Sequence, residues 1–242
     1  MILSVEVIDT VFRGLPVPDD VTKMYQPKQG CFPTTILRKG YGRKGLRRTV
    51  PLYNCWSNMS QRCLSGSSQQ DKIKSYVGCN HMFSDYQDFA EFCYTLPFFK
   101  EVDQFSNPYE VDKDVKGFII NLPNTYSKET IVMLPKDINC FLTCVQIHNN
   151  SSERSTKGVI QHVRNKFQVR TQDVCGDRQR KVMSKHATYD EAYSALCDLK
   201  QTQARFLADK FKGKVDNVVV DFLMKFSLSE WEKWTYHKWS CK

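Results

Sequence analysis

The ten cysteines of this 242-residue chain include no Cys-x-x-Cys pair, and its five histidines include none at zinc-finger spacing. A structural zinc module is therefore not what organises it. No stretch reaches the roughly 18 uncharged apolar residues of a membrane span. The opening MILSVEVIDTVF carries Glu6 and Asp9 where a secretory signal needs an uninterrupted apolar segment. These absences lead to the expectation of no membrane segment, free thiols, and a reducing, cytoplasmic setting.

Charge is present but unevenly spread. Residues 1–50 hold nine Lys/Arg against four Asp/Glu, 51–150 eight against eleven, 151–214 fourteen against seven, and 215–242 four against four. Two basic segments thus flank an acidic one, a distribution suited to gripping a polyanion at the ends and a cation in the middle.

Residues 1–37 read as short strands and turns, with Pro16, Pro18, Pro27 and Pro33 breaking any long helix. The run LRKGYGRKGLRRT follows, in which Arg38, Lys39, Arg43, Lys44, Arg47 and Arg48 stand with Gly40, Gly42 and Gly45 and no acid. It is expected to be a mobile cationic loop able to follow a phosphate backbone. Cys55, Trp56, Met59 and Cys63 then recur at helical spacing, as do Phe83, Tyr86, Phe89, Ala90 and Cys93, the second helix with Ser84 as its expected cap.

Residues 155–213 read as a separate module. Phe167 and Val169 alternate with Lys166, Gln168 and Arg170, and Asn165-Lys166 supplies a turn, so a hairpin with one apolar and one cationic face is expected. After CGDRQRKV and a further short strand, Thr188-x-x-Glu191 forms a capping box. It opens a helix with Ala192, Ala195, Leu196, Leu199, Phe206 and Leu207 on its apolar face and a stop near Gly213. In the tail 214–242, Trp231 and Trp234 share a helix face, and Trp239 follows. That face suits docking onto the preceding module, or else a protein partner or self-association.

Several segments carry a resemblance. YNCWSNMSQRC, YVGC, VDKDVKG and YSKETIVMLPKDIN are similar, in order and spacing, to phage proteins of the HNH homing-endonuclease type, and KGVIQHVRNKFQVRTQ with ATYDEAYSAL resembles the AP2 DNA-binding module. The match covers about residues 40–212. It implies an α+β chain of four parts: a basic segment (1–50), an HNH-like ββα-metal core (51–150), an AP2-like sheet-plus-helix module (155–213), and the tail (214–242). It also implies double-stranded DNA as partner, the cytoplasm of an infected bacterial cell as location, and metal-assisted phosphodiester hydrolysis as activity.

The implied catalytic residues are Asp112, Lys113 and Asp114, with Asp112 and Asp114 holding Mg²⁺ or Mn²⁺. The implied DNA contacts are Arg38, Lys39, Arg43, Lys44, Arg47, Arg48, Arg164, Lys166, Gln168, Arg170, Arg178 and Arg180. In the fuller pattern an Asp-His pair occupies the place of Asp112-Lys113, and a helix-start asparagine that of Thr130. Lysine is almost fully protonated at neutral pH and makes a poor general base. His81 and His148 are the other candidate bases, and Asn139 is expected to close the end of its helix. Two readings stay open: an endonuclease, and a catalytically degenerate DNA-binding protein on the same scaffold that acts as a regulator or host-directed factor.

Overall fold

The computed structural model describes residues 5–28, 30–40, 46–64, 78–144, 160–172 and 180–240. The chain divides into two compact units, Met1–Lys113 with Thr125–Pro135, and Asp114–Asn124 with Lys136–Lys242. This division cuts through the expected 51–150 core.

The first unit opens with a helix where strands and turns were expected: α1 spans Val5–Phe12. The prolines that argued against a helix all lie beyond it, and Val7, Ile8, Val11 and Phe12 give it one apolar face, packed with Met24, Ile36 and Val50. The chain leaves α1 through Arg13 (φ 50°) and Gly14 (φ 76°). At Gly14 a Cβ would meet the Lys100 carbonyl oxygen at 1.6 Å, so only glycine fits.

Strands β1 (Val21–Tyr25), β2 (Thr35–Arg38) and β3 (Leu46–Thr49) form an antiparallel sheet in that order. The expected cationic loop is therefore partly strand. Pairing of Ile36 with Arg48 and of Thr35 with Thr49 satisfies backbone groups that a loop would leave to water. Pro51 starts α2 (Pro51–Cys63), which buries Leu52 and Met59.

Helix α3 (Tyr86–Thr95) buries Tyr86, Phe89, Ala90 and Cys93 as its spacing predicts. Its cap is Asp85, not Ser84, because the Asp85 carboxylate accepts from the amides of both Gln87 and Asp88. Two short pairs complete the unit: β4 (Asn80–His81) runs parallel to β6 (Thr125–Tyr126), and β5 (Glu110–Asp112) runs antiparallel to β7 (Val132–Leu134).

The second unit takes up α4 (Asp114–Ile119) and α5 (Lys136–Cys144). Its sheet joins β8 (Ile160–Val163), β9 (Lys166–Gln172) and β10 (Arg180–His186), all antiparallel, with β9 central. The turn falls on Arg164 and Asn165, one residue earlier than expected. Their φ values of 49° and 60° give the doubly left-handed bend that matches strand twist.

Helix α6 (Tyr189–Phe211) starts on the Thr188/Glu191 capping box and ends before Gly213 (φ 74°). It buries Ala192, Leu196 and Leu207 as expected, and also Lys200, Gln203, Ala204, Ala208 and Phe211. Phe206, placed on the apolar face from sequence, is 40% exposed. Helices α7 (Asn217–Met224) and α8 (Leu228–Ser240) follow. Trp231 is fully buried, within 5.3–6.3 Å, ring centroid to centroid, of Phe118, Phe222, Phe226 and Trp234.

Trp231→Ala is expected to destabilise this unit by about 3–5 kcal/mol through the cavity it leaves. Thr188→Ala should cost only about 1 kcal/mol through the lost cap. Urea unfolding followed by far-UV circular dichroism separates the two.

Candidate nucleic-acid interface and acidic hairpin

In the β8–β10 sheet, side chains alternate between two faces. Val169 and Thr171 are buried on the face that meets α6, so Lys166, Gln168 and Arg170 fall on the other. Lys166 is exposed, while Gln168 and Arg170 are half-buried. Register adds residues that the strand pattern alone did not give: Gln168 lies between Gln161 of β8 and Lys185 of β10. Lys185 is exposed, and pairing the third strand back on the second was the signal that would have found it.

Val163 pairs with Lys166 and Val182 with Arg170, and these valines are 37% and 43% exposed. A face that sets cations and amides beside short apolar groups has the donors for guanine and adenine edges and a surface for the thymine methyl. Arg164 is exposed at the turn. Arg180 stands on β10 opposite Gln172 instead of in a loop, and Arg178 lies outside the described residues.

The β1–β3 sheet repeats the device. Met24 and Ile36 are buried, which turns Lys23, Tyr25 and Arg47 to the opposite face. Lys23 Nζ and the Arg47 guanidinium each lie 5.0 Å from the centroid of the Tyr25 ring. The ring's π cloud attracts both cations. Lys23 and Tyr25 were not singled out from sequence, because their relation to Arg47 exists only once the strands pair.

Arg38 Nε lies 2.8 Å from both carboxylate oxygens of Asp20, so this cation is already engaged. Lys39 and Arg48 are exposed, and Arg43 and Lys44 lie outside the described residues.

In the acidic segment, Asp112 ends β5 opposite Val132, and Asp114 begins α4. The boundary between the two units falls directly after Lys113. Strand, strand and helix follow in the expected chain order as β5, β7 and α5. The strands are three residues long, however, and are joined through α4 and β6, so no compact ββα-metal arrangement is evident among the described residues.

Lys113 is only 4% exposed, with Nζ 5.0 Å from the centroid of the Tyr126 ring. Arg62 Nη1 donates to the Tyr126 hydroxyl at 3.3 Å. Burial pushes the Tyr126 phenol above its ordinary range, while the charges of Lys113 and Arg62 pull the other way. Tyr126 is thus a neutral phenol near neutral pH and no ready proton acceptor.

Thr130 does not begin a helix. It is fully buried in the turn before β7, donating to the Thr125 carbonyl at 2.7 Å and accepting from the Ser127 amide at 2.9 Å. Asn139 sits inside α5 and not at its end, and its carbonyl accepts from Thr143 Oγ1. His81 packs edge-on against Trp56 at 5.0 Å. His148 lies outside the described residues.

Among the described residues no three His, Cys, Asp or Glu side chains gather as a metal-holding group. Asp112 and Asp114 belong to different units, and each carboxylate is a hard oxygen donor of the kind Mg²⁺ or Mn²⁺ takes. No described helix is long and apolar enough to cross a membrane. No family model, curated protein or solved structure matches the chain.

The geometry assigns Thr130 to the fold. Thr130→Asn should destabilise the first unit by about 1–3 kcal/mol, since it overfills a packed turn and leaves buried partners unpaired. Thr130→Ser, which keeps the hydroxyl, should cost less in the same urea unfolding measurement.

Proposed function

We propose that this chain is a double-stranded DNA-binding protein. The observation that carries the reading is the outer face of the β8–β10 sheet, where Lys166, Gln168, Arg170 and Lys185 stand opposite the face buried on α6. A twisted three-stranded sheet fits the major groove, with polar side chains meeting base edges and the turn meeting phosphate. The Lys23–Tyr25–Arg47 platform supplies sequence-independent phosphate contacts from the first unit.

The second reading is a metal-dependent DNA endonuclease, favoured by Asp112 at the end of β5 and Asp114 at the start of α4. Either carboxylate offers a hard oxygen ligand for a divalent cation, which would supply Lewis-acid polarisation of a phosphoryl oxygen. Lys113, between them in the chain, is buried with its Nζ 5.0 Å from the Tyr126 ring centroid.

Affinity for duplex DNA is expected to fall steeply with salt, with a log–log slope of about 0.9 per phosphate contact. Arg170→Ala should cost about 1–3 kcal/mol and relax specificity at one base position if it reads guanine. Arg47→Ala should weaken all sequences alike and lower the salt slope. Absence of duplex binding by wild type in a low-salt mobility shift would overturn the reading.

Nuclease activity is tested on supercoiled plasmid with Mg²⁺ or Mn²⁺. Retained binding without nicking is the expected result. Nicking lost in Asp112→Ala and raised about a hundredfold or more in Lys113→His, the usual contribution of a general base, would establish the second reading instead.

A further inference from the structure

Cys63 closes the last turn of α2, and Cys79 stands immediately before β4. They are 16 positions apart in the chain, yet Cys63 Sγ donates to Cys79 Sγ at 3.6 Å. The two thiols sit where α2 is tied to the β4–β6 pair. One turn of α2 also supplies Arg62 to the Tyr126 hydroxyl, and Tyr126 is the register partner of His81, two residues beyond Cys79.

Of the other described cysteines, Cys55 is half-buried and Cys93 buried, with burial pushing both thiols up, Cys31 and Cys197 are half-buried, and Cys140 is exposed. Cys63 is half-buried and Cys79 is 4% exposed, so a small reagent reaches the first sulfur and the second waits behind it. This is the layout of an attacking thiol and a resolving thiol.

We propose that Cys63 and Cys79 form a reversible dithiol modification site whose oxidant is a low-molecular-weight disulfide of the glutathione class. The Cys63 thiolate attacks one sulfur of the small disulfide, forming a mixed disulfide and releasing one small thiolate. The Cys79 thiolate then attacks the Cys63 sulfur, forming the intramolecular bond and releasing the second small thiolate. The two thiolates take up the two protons lost by the cysteines. The pair is oxidised by two electrons and the small disulfide is reduced to two thiols.

Closing from the observed separation to a bond of about 2.05 Å asks each sulfur to move by less than about 1 Å, within reach of side-chain torsions. The bond from Cys63 to Cys79 and burial both push the Cys63 thiol up, while the Lys113 and Arg62 charges pull it down. The first step is accordingly slow exchange, not a rapid sensor reaction. The product bolts the end of α2 to β4, fixing the surroundings of Tyr126 and Lys113. The site stands independently of any DNA partner.

The test uses the full chain, reduced and then incubated with oxidised glutathione, with intact mass and peptide mapping as readouts. A Cys63–Cys79 crosslink that dithiothreitol reverses is expected, together with a glutathione adduct on Cys140. Cys79→Ser should trap the adduct on Cys63, and oxidised wild type should unfold at higher urea than the reduced chain. A second measurement needs no variant: phenylarsine oxide, which requires two adjacent thiols, should protect Cys63 and Cys79 together from maleimide. Free or separately glutathionylated Cys63 and Cys79 alongside a modified Cys140, or no joint protection by the arsenical, would overturn the proposal.

Discussion

The two-residue repeat of a strand governs both sheets. Once Val169 and Thr171 are buried against α6, Lys166, Gln168 and Arg170 have nowhere to point but outward. The same holds for Met24 and Ile36 against α1, which leaves Lys23, Tyr25 and Arg47 on the open side. Hydrophobic burial thus sets the position of the charges, and a register slip of one residue would bury cations and expose the core. The two-residue turn at Arg164 and Asn165 guards against that slip, because its length admits only one pairing of Val163 with Lys166.

The sequence was informative where local chemistry decides structure. The capping box at Thr188, the glycine stop at Gly213, the spacing of Phe89 and Cys93, and the alternation along β9 were all legible because each involves residues within a few positions. It was silent where partners lie far apart in the chain. Arg47 and Arg48 belong to a strand only because β2 offers an edge, and Lys185 joins the candidate face only through register. The α1 helix was missed for another reason: prolines at 16 and 18 limit where a helix ends, not whether one precedes them. Within the candidate site, Asp112 and Asp114 were placed by motif order, but the burial of Lys113 and the full use of the Thr130 hydroxyl have no local signature.

Aromatic rings recur as supports for positive charge. Arg13 lies over Phe99, Lys113 over Tyr126 and Lys200 over Phe141, at 5.0–5.3 Å from the centroids, and all three are at most 6% exposed. Desolvating a cation costs several kcal/mol, and a ring face returns only part of it. Lys200 adds a bond to Gln203 Oε1 at 3.0 Å. The chain therefore carries buried cations as a general feature. Burial of Lys113 is no special mark of catalysis, and a histidine at that position would enter a pocket shaped for a longer side chain.

The four tryptophans are unequally divided: Trp56 alone lies in the first unit, and Trp231, Trp234 and Trp239 lie in the second. Trp231 and Trp234 are buried with ring centroids 5.3 Å apart, in a cluster that also holds Phe118 and Phe222. Such a pair couples excitonically in the near ultraviolet and emits from an apolar setting. The tryptophan emission of this protein is therefore weighted toward its second unit, and loosening of the first would register in it chiefly through Trp56.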